Sequence, residues 1–171
     1  MSSTAGSLDP LSRIVLIEPL IPENTGNISR TAVATASDLH LVRPLGFEIT
    51  ESRVRRAGLD YWDNLVWHEH NSWDHWLQEV QRSGQLSRVF MIETTGETPL
   101  YEADLRRGDW LVFGKETTGL PAALLAEVPR EQRLTLPMPG PTRSLNLSNT
   151  VAIAVFELMR QVQARSPRSS S

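Results

Sequence analysis

An α/β fold, a single-domain parallel sheet flanked by helices, is predicted for this 171-residue chain on three observations. Short apolar runs of strand length alternate with segments whose apolar residues recur at helical spacing. The runs are apolar at consecutive positions, as in strands buried on both faces. Polar loops rich in glycine and proline follow several of the runs, at the strand ends where ligands collect in such sheets.

In chain order, residues 13–18 (RIVLIE) form the first buried strand. The loop PLIPENTGN leads into a helix expected from about Thr25 to Ser37, with Ile28, Ala32, Val33 and Ala36 on one face and Asn27 and Arg30 on the other. LHLV (39–42) is the next strand. Residues 50–58 form a polar helical segment carrying Arg53, Arg55 and Arg56, followed by Tyr61 and Trp62. A short strand is expected at 65–67, then a helix capped by Asn71 or Ser72 and running to about Arg82. RVFMI (88–92), DWLVF (109–113) and residues 133–136 complete the strands. Pro137, Pro139, Gly140 and Pro141 cannot run through a helix, so they form a loop of fixed shape. The last helix follows it, with Leu147, Val151, Ala154, Val155, Leu158, Met159 and Val162 on a wide apolar face. Ile153 and Phe156 lie opposite, a second apolar patch that implies contact with another element or another subunit.

The length suits one domain, placed at 13–163, and residues 1–12 and 164–171 have little to bury and are expected to be disordered tails. The absence of cysteine excludes disulfides, thiolate chemistry and cysteine-ligated metal. No leader-like or membrane-spanning stretch is present, so a soluble cytoplasmic protein is expected. A net charge of −3 argues against holding nucleic acid through overall positive charge, but it leaves room for a local patch. Of the 17 basic residues only Lys115 is lysine, and arginine forks suit phosphate.

Motif by motif, GKETTGLP (114–121) has the glycine separation of a phosphate loop but places Leu120 and Pro121 where lysine and a hydroxyl belong. No GxGxxG follows a strand. Ser144 and Ser148 lack a nucleophile elbow. His40, His68, His70 and His75 lack the spacing of a metal motif and read as structural or surface residues, so no metal is expected. Trp62, Trp67, Trp73 and Trp76 read as core or contact residues rather than a base-stacking platform.

Four segments, IVLIEPLIPENTGNISRTA, RRAGLDYW, VFGKETTGLP and LPMPGPTRSLNLSNTVAIAVFE, occur in the order and spacing of the SPOUT class of RNA methyltransferases. Across nearly the whole ordered chain, the sequence most resembles the TrmL family of tRNA (cytidine/uridine wobble-position)-2'-O-methyltransferases. The resemblance implies a C-terminal α/β trefoil knot, an obligate homodimer and S-adenosyl-L-methionine bent within the knot. It implies cofactor contacts at Ile92, Thr94, Gly96, Gly114, Leu136, Met138 and Ser144. Arg30 is implied nearest the reacting ribose hydroxyl, with Asn24, Asn27, Glu116, Ser144 and Asn146 around it. The implied substrate is the anticodon loop of a tRNA, with no role for DNA, membrane or metal. Phe156 departs from the tyrosine expected there. An arginine guanidinium stays protonated in proteins, so Arg30 reads as an orienting and electrostatic group rather than a base. A non-catalytic knotted RNA-binding protein or tRNA chaperone is the alternative, and a nucleotide hydrolase using the glycine loops is a weaker third.

Overall fold

The computed structural model describes residues 9–48 and 62–166. The arginine-bearing segment expected at 50–58, Tyr61, residues 1–8 and residues 167–171 lie outside the described residues. In order, the elements are β1 (Ser12–Ile17), α1 (Pro22–Thr35), β2 (Asp38–Val42), β3 (Trp67–His70), α2 (Trp73–Arg82) and β4 (Val89–Ile92). β5 (Thr98–Pro99), β6 (Asp109–Gly114), α3 (Ala122–Leu125), β7 (Arg133–Thr135) and α4 (Leu147–Arg165) follow. The strands form one sheet in the order β3-β2-β1-β6-β4-β7-β5, and every pairing is parallel.

Alternate residues of the central strands feed two separate cores, which explains why their sequences are apolar throughout. Ile14, Leu16, Leu39, Leu41, Leu111 and Phe113 meet Ile28 and Ala32 of α1 and Val151, Ala154, Val155 and Leu158 of α4. Val15, Ile17, Val42, Met91 and Val112 meet Trp76, Leu77 and Val80 of α2 and Leu124 of α3 on the other face. Trp76 is fully buried, and Trp62 and Trp67 pack partly against the first core, in line with the expectation of packing roles. No helix among the described residues is long and apolar enough to cross a membrane.

Several local expectations are corrected. α1 starts at Pro22, not Thr25, because proline has no amide hydrogen to leave unpaired at the first helical position. Ala36 is no part of its apolar face: it takes the left-handed cap, with φ 53° and its N–H reaching the carbonyls of Ala32 and Val33. The strand expected at 65–67 lies at 67–70, because Trp62–Asn64 makes a 3-10 turn that draws the Leu65 N–H to the Trp62 carbonyl at 3.0 Å. Ile153 is half-buried against the protein's own core, whereas Phe156 remains 53% exposed. Leu11 is buried, β1 begins at Ser12 and α4 runs to Arg165.

Of the two residues offered as the cap of α2, Ser72 serves, and α4 has a cap of its own. The Ser72 hydroxyl accepts the His75 N–H at 3.2 Å and opens α2, while Asn146 accepts the Ser148 N–H at 2.9 Å and opens α4. The far end of α4 is fastened by Gln161, which accepts the Leu105 N–H at 3.1 Å and donates to the Ala103 carbonyl at 3.0 Å.

β7 lies between β4 and β5, so residues 93–97, which join β4 to β5, must pass from one side of β7 to the other. The crossing is close. A Cβ at Gly96 would stand 2.3 Å from the Leu134 carbonyl oxygen and 2.8 Å from the Thr135 nitrogen, inside van der Waals contact, so only glycine fits. This passage from β4 to β5 around β7 is consistent with the trefoil knot that the resemblance implies.

Candidate active site

The loops after β1, β4, β6 and β7 converge beyond the carboxyl ends of their strands around a cavity of about 670 Å³. Ile92, Phe113, Leu120, Leu136, Met138 and Leu145 give it apolar walls, and Glu93, Thr94, Lys115, Glu116, Arg143 and Ser144 add polar groups. Gly114 lets the wall approach β1. Its φ is +122°, and a Cβ there would meet the Ile17 carbonyl oxygen at 2.5 Å. A cavity of this size and mixed lining suits a small organic ligand.

Of the implied cofactor residues, Ile92, Thr94, Gly114, Leu136, Met138 and Ser144 line the cavity. Gly96 does not; it serves the crossing over β7. Of the implied catalytic residues, Asn24, Glu116, Ser144 and Asn146 line the cavity as well, whereas Asn27 and Arg30 do not. Both of these are exposed on α1.

The polar residues of the cavity hold its loops together. Both Glu116 carboxylate oxygens accept backbone amides, from Leu20 and from Ile21, each at 3.0 Å. Ile21 precedes α1 and supplies no side-chain cap, so Glu116 places its negative charge at the positive end of that helix. Asn24 Nδ2 also approaches Glu116 at 3.5 Å, and Asn24 Oδ1 accepts from Asn146 Nδ2 at 3.0 Å. Asn146 in turn caps α4 through the Ser148 amide and hydroxyl. One chain of bonds therefore joins the β6 loop, the start of α1 and the start of α4.

Glu93, Lys115 and Arg143 were not among the site residues expected from the sequence. Glu93 begins the loop after β4 and accepts the N–H groups of Leu120 and Thr94, tying that loop to the one after β6. Burial pushes its carboxyl above the usual value, and those two amides pull back against the rise. Its one sequence signal was position, as the first polar residue after an apolar strand. Lys115 pairs with Glu18 beside Gly114.

The histidines take the structural and surface places expected of them: His40 and His70 are buried, while His68 and His75 are exposed. All four gather at the β2, β3 and α2 edge, with the His40 and His68 rings stacked at 4.5 Å and His40 Nδ1 bonded to His70 Nε2 at 3.0 Å. His70 and His75 both face Glu79. None of these residues lines the cavity.

Residues 12–156 match the SpoU rRNA Methylase family. The chain belongs to this SpoU family. A protein of Burkholderia cenocepacia named tRNA (cytidine(34)-2'-O)-methyltransferase is 47% identical over 148 residues, covering 86% of this chain and 94% of that protein. A solved structure described as "Structural insights into the 2-OH methylation of C/U34 on tRNA" superposes with a TM-score of 0.80 at 42% identity, covering 91% of this chain and 99% of the other. The SpoU fold extends to an AdoMet-bound rRNA methyltransferase of Sinorhizobium meliloti, with a TM-score of 0.74 at 24% identity over 90% of this chain and 57% of that one.

Proposed function

We propose that this protein transfers a methyl group from S-adenosyl-L-methionine to the ribose 2'-hydroxyl of the wobble nucleotide, C or modified U, in the anticodon loop of tRNA. The observation that carries this reading is the cavity at the β4, β6 and β7 loops, built in a chain that aligns almost end to end with relatives named for methylation at nucleotide 34. The residues present fit the cofactor. Rigid loops offer backbone groups to an adenosyl moiety, and Ile92, Leu136 and Met138 offer apolar walls to a methionyl chain. When bound, S-adenosylmethionine supplies an electrophilic methyl group on a sulfonium centre.

The chain's own contribution is positional. Glu116, with both oxygens engaged by amides, acts as a brace that fixes the loop after β6 against α1. Asn24 and Asn146 extend that brace to the loop after β7. Such preorganisation aligns reactants without a covalent intermediate. Arg30, exposed on α1 outside the cavity, is assigned to holding the RNA phosphate or ribose by its planar fork. The proton of the 2'-hydroxyl leaves to water or phosphate.

Calorimetry with S-adenosylmethionine, then transfer of tritiated methyl to tRNA and mapping of the modified nucleotide, tests the proposal. Binding with label at nucleotide 34 is expected; failure to bind the cofactor overturns it, and binding without transfer favours a non-catalytic RNA binder. Arg30→Ala should lower methyl transfer by roughly 100-fold or more while leaving cofactor affinity within about twofold. Arg30→Lys should be nearly as inactive, because lysine lacks the bidentate fork. Activity in the Lys variant that climbs with pH would instead establish a basic role.

The homodimer is part of the same proposal and is supported by the exposed Phe156 on the otherwise well-packed α4. Phe156→Arg would bury an unpaired charge at a twofold contact and should yield monomer or aggregate with activity lost. Light scattering showing a stable, active dimer would remove α4 from the interface.

A further inference from the structure

The polar cluster at the opposite end of the sheet from β7 has no part in the proposed methyl transfer. His70 ends β3, the edge strand, while His75 and Glu79 lie four residues apart on α2 and so share one helical face. The turn between β3 and α2 brings the three together: His70 Nδ1 is 3.1 Å from Glu79 Oε2, and His75 Nε2 is 3.7 Å from Glu79 Oε1. One ligand atom from each lies within 4.8 Å of the others. In a tetrahedral zinc site with metal–nitrogen bonds of about 2.0–2.1 Å, neighbouring ligand atoms stand about 3.3 Å apart.

We propose that His70, His75 and Glu79 form a binding site for a zinc-type divalent ion that clamps edge strand β3 to α2. Two imidazoles and a carboxylate suit a borderline transition metal, whereas magnesium and calcium prefer an all-oxygen shell. The site has the orienting partner that metal-bound histidines usually carry, because His70 Nε2 meets His40 Nδ1 at 3.0 Å. His70 is nearly buried and fixed, while His75 is half-exposed and can turn to complete the shell. Water would fill the fourth position. Loading through His70 Nδ1 places the His70 proton on Nε2 and the His40 proton on its own Nε2, which has no hydrogen-bond partner among the described residues. Metal binding is therefore coupled to a tautomer change in the buried pair.

A second triad, Asp38, His40 and His68, is also compact, but its geometry is unsuited. The His40 and His68 rings stack at 4.5 Å with only 20° between planes, so their in-plane lone pairs run side by side and do not converge on one ion. The spacing of the histidines in sequence hid the proposed site, because one ligand comes from a strand and two from the following helix.

The full, tag-free chain, stripped with chelator, is titrated with zinc chloride by calorimetry, and cobalt is used in parallel for its visible spectrum. One ion per chain is expected, with the absorption of a four-coordinate cobalt site and a rise in melting temperature on loading. His75→Ala and Glu79→Gln, both at half-exposed positions, should each weaken binding roughly tenfold or more, whereas His68→Ala should leave it unchanged. The proposal is overturned by absence of stoichiometric binding, by binding that survives both substitutions, or by loss of binding in His68→Ala alone. Because the readouts are binding, spectrum and melting, they remain decisive whether or not methyl transfer is found.

Discussion

The cavity loops and the β2, β3 and α2 edge use polar side chains in different ways. At the cavity, carboxylates and amides bond chiefly to backbone, as Glu116 to Leu20 and Ile21, Glu93 to Leu120 and Asn146 to Ser148, with Asn24 and Asn146 linking them side chain to side chain. At the β2, β3 and α2 edge, side chains bond to side chains, from His40 to His70 and from His70 to Glu79. The cavity loops lack regular pairing, so their amides need outside acceptors, and each acceptor that is supplied also fixes loop shape. At the edge, β3 pairs with β2 and α2 bonds along its own turns, so the backbone calls less on side chains, which are left able to rearrange around a proton or an ion. The cavity region should therefore be brittle to substitution and the edge tolerant.

Gly96, in the loop after β4 although not lining the cavity itself, offers the severest way to break this contrast. Gly96→Ala sets a methyl group against the Leu134 carbonyl at the crossing, where neither strand can withdraw without losing its pairing. We expect loss of folding, or destabilisation on the order of 4 kcal/mol, by denaturant melts. His75→Ala at the edge should stay within about 0.5 kcal/mol when metal is absent. Comparable losses at the two positions would abolish the distinction.

Glu116→Ala sharpens the contrast at a smaller scale. It frees two amides at the start of α1, an effect comparable with losing a helix cap, about 1 kcal/mol. Its effect on cofactor affinity should be larger than its effect on melting, because the loop after β6 loses its anchor. Glu116→Gln keeps one acceptor and should fall between the two. An unchanged cofactor affinity in Glu116→Ala would mean that the loop holds its shape without the brace.

What was legible in sequence follows the same division. The buried strands could be read from 13–18, 88–92 and 109–113 because burial on both faces leaves a continuous apolar run, and the pair Asn71 and Ser72 marked the start of α2. Similarity to known motifs led to the cavity loops, and six of the implied cofactor residues do line one cavity. Glu93 was missed because its partner, Leu120, is distant in sequence and comes near only once the loops after β4 and β6 are folded. Periodicity misplaced β3, whose edge position leaves His68 and Glu69 exposed and so breaks the apolar run that marks the inner strands. The start of α1 was misplaced because the glycine and polar residues of PENTGN resemble a loop, yet Glu116 completes the helix end from another part of the chain.

Glu93 gives the smallest and most specific test, because it is an ionisable residue holding a loop. Burial raises its folded-state carboxyl value above the ordinary 4.5, so the folded protein takes up this proton more readily than the unfolded chain. The linked stability is then fully present below 4.5 and is lost as pH rises through the raised folded value. Glu93→Gln retains an acceptor for the Leu120 amide and cannot titrate, so at neutral pH it should melt within about 1 kcal/mol of the parent protein. Glu93→Ala leaves that amide unpaired beside a buried leucine and should lose about 1–3 kcal/mol at every pH. Denaturant melts of the parent and Gln proteins across the acid to neutral range provide the measurement. The parent should lose stability relative to Glu93→Gln as pH increases from 4.5. A parent that gains on the Gln variant over that range would mean that the two amides outweigh burial and that the Glu93 charge, rather than its shape, holds the loop.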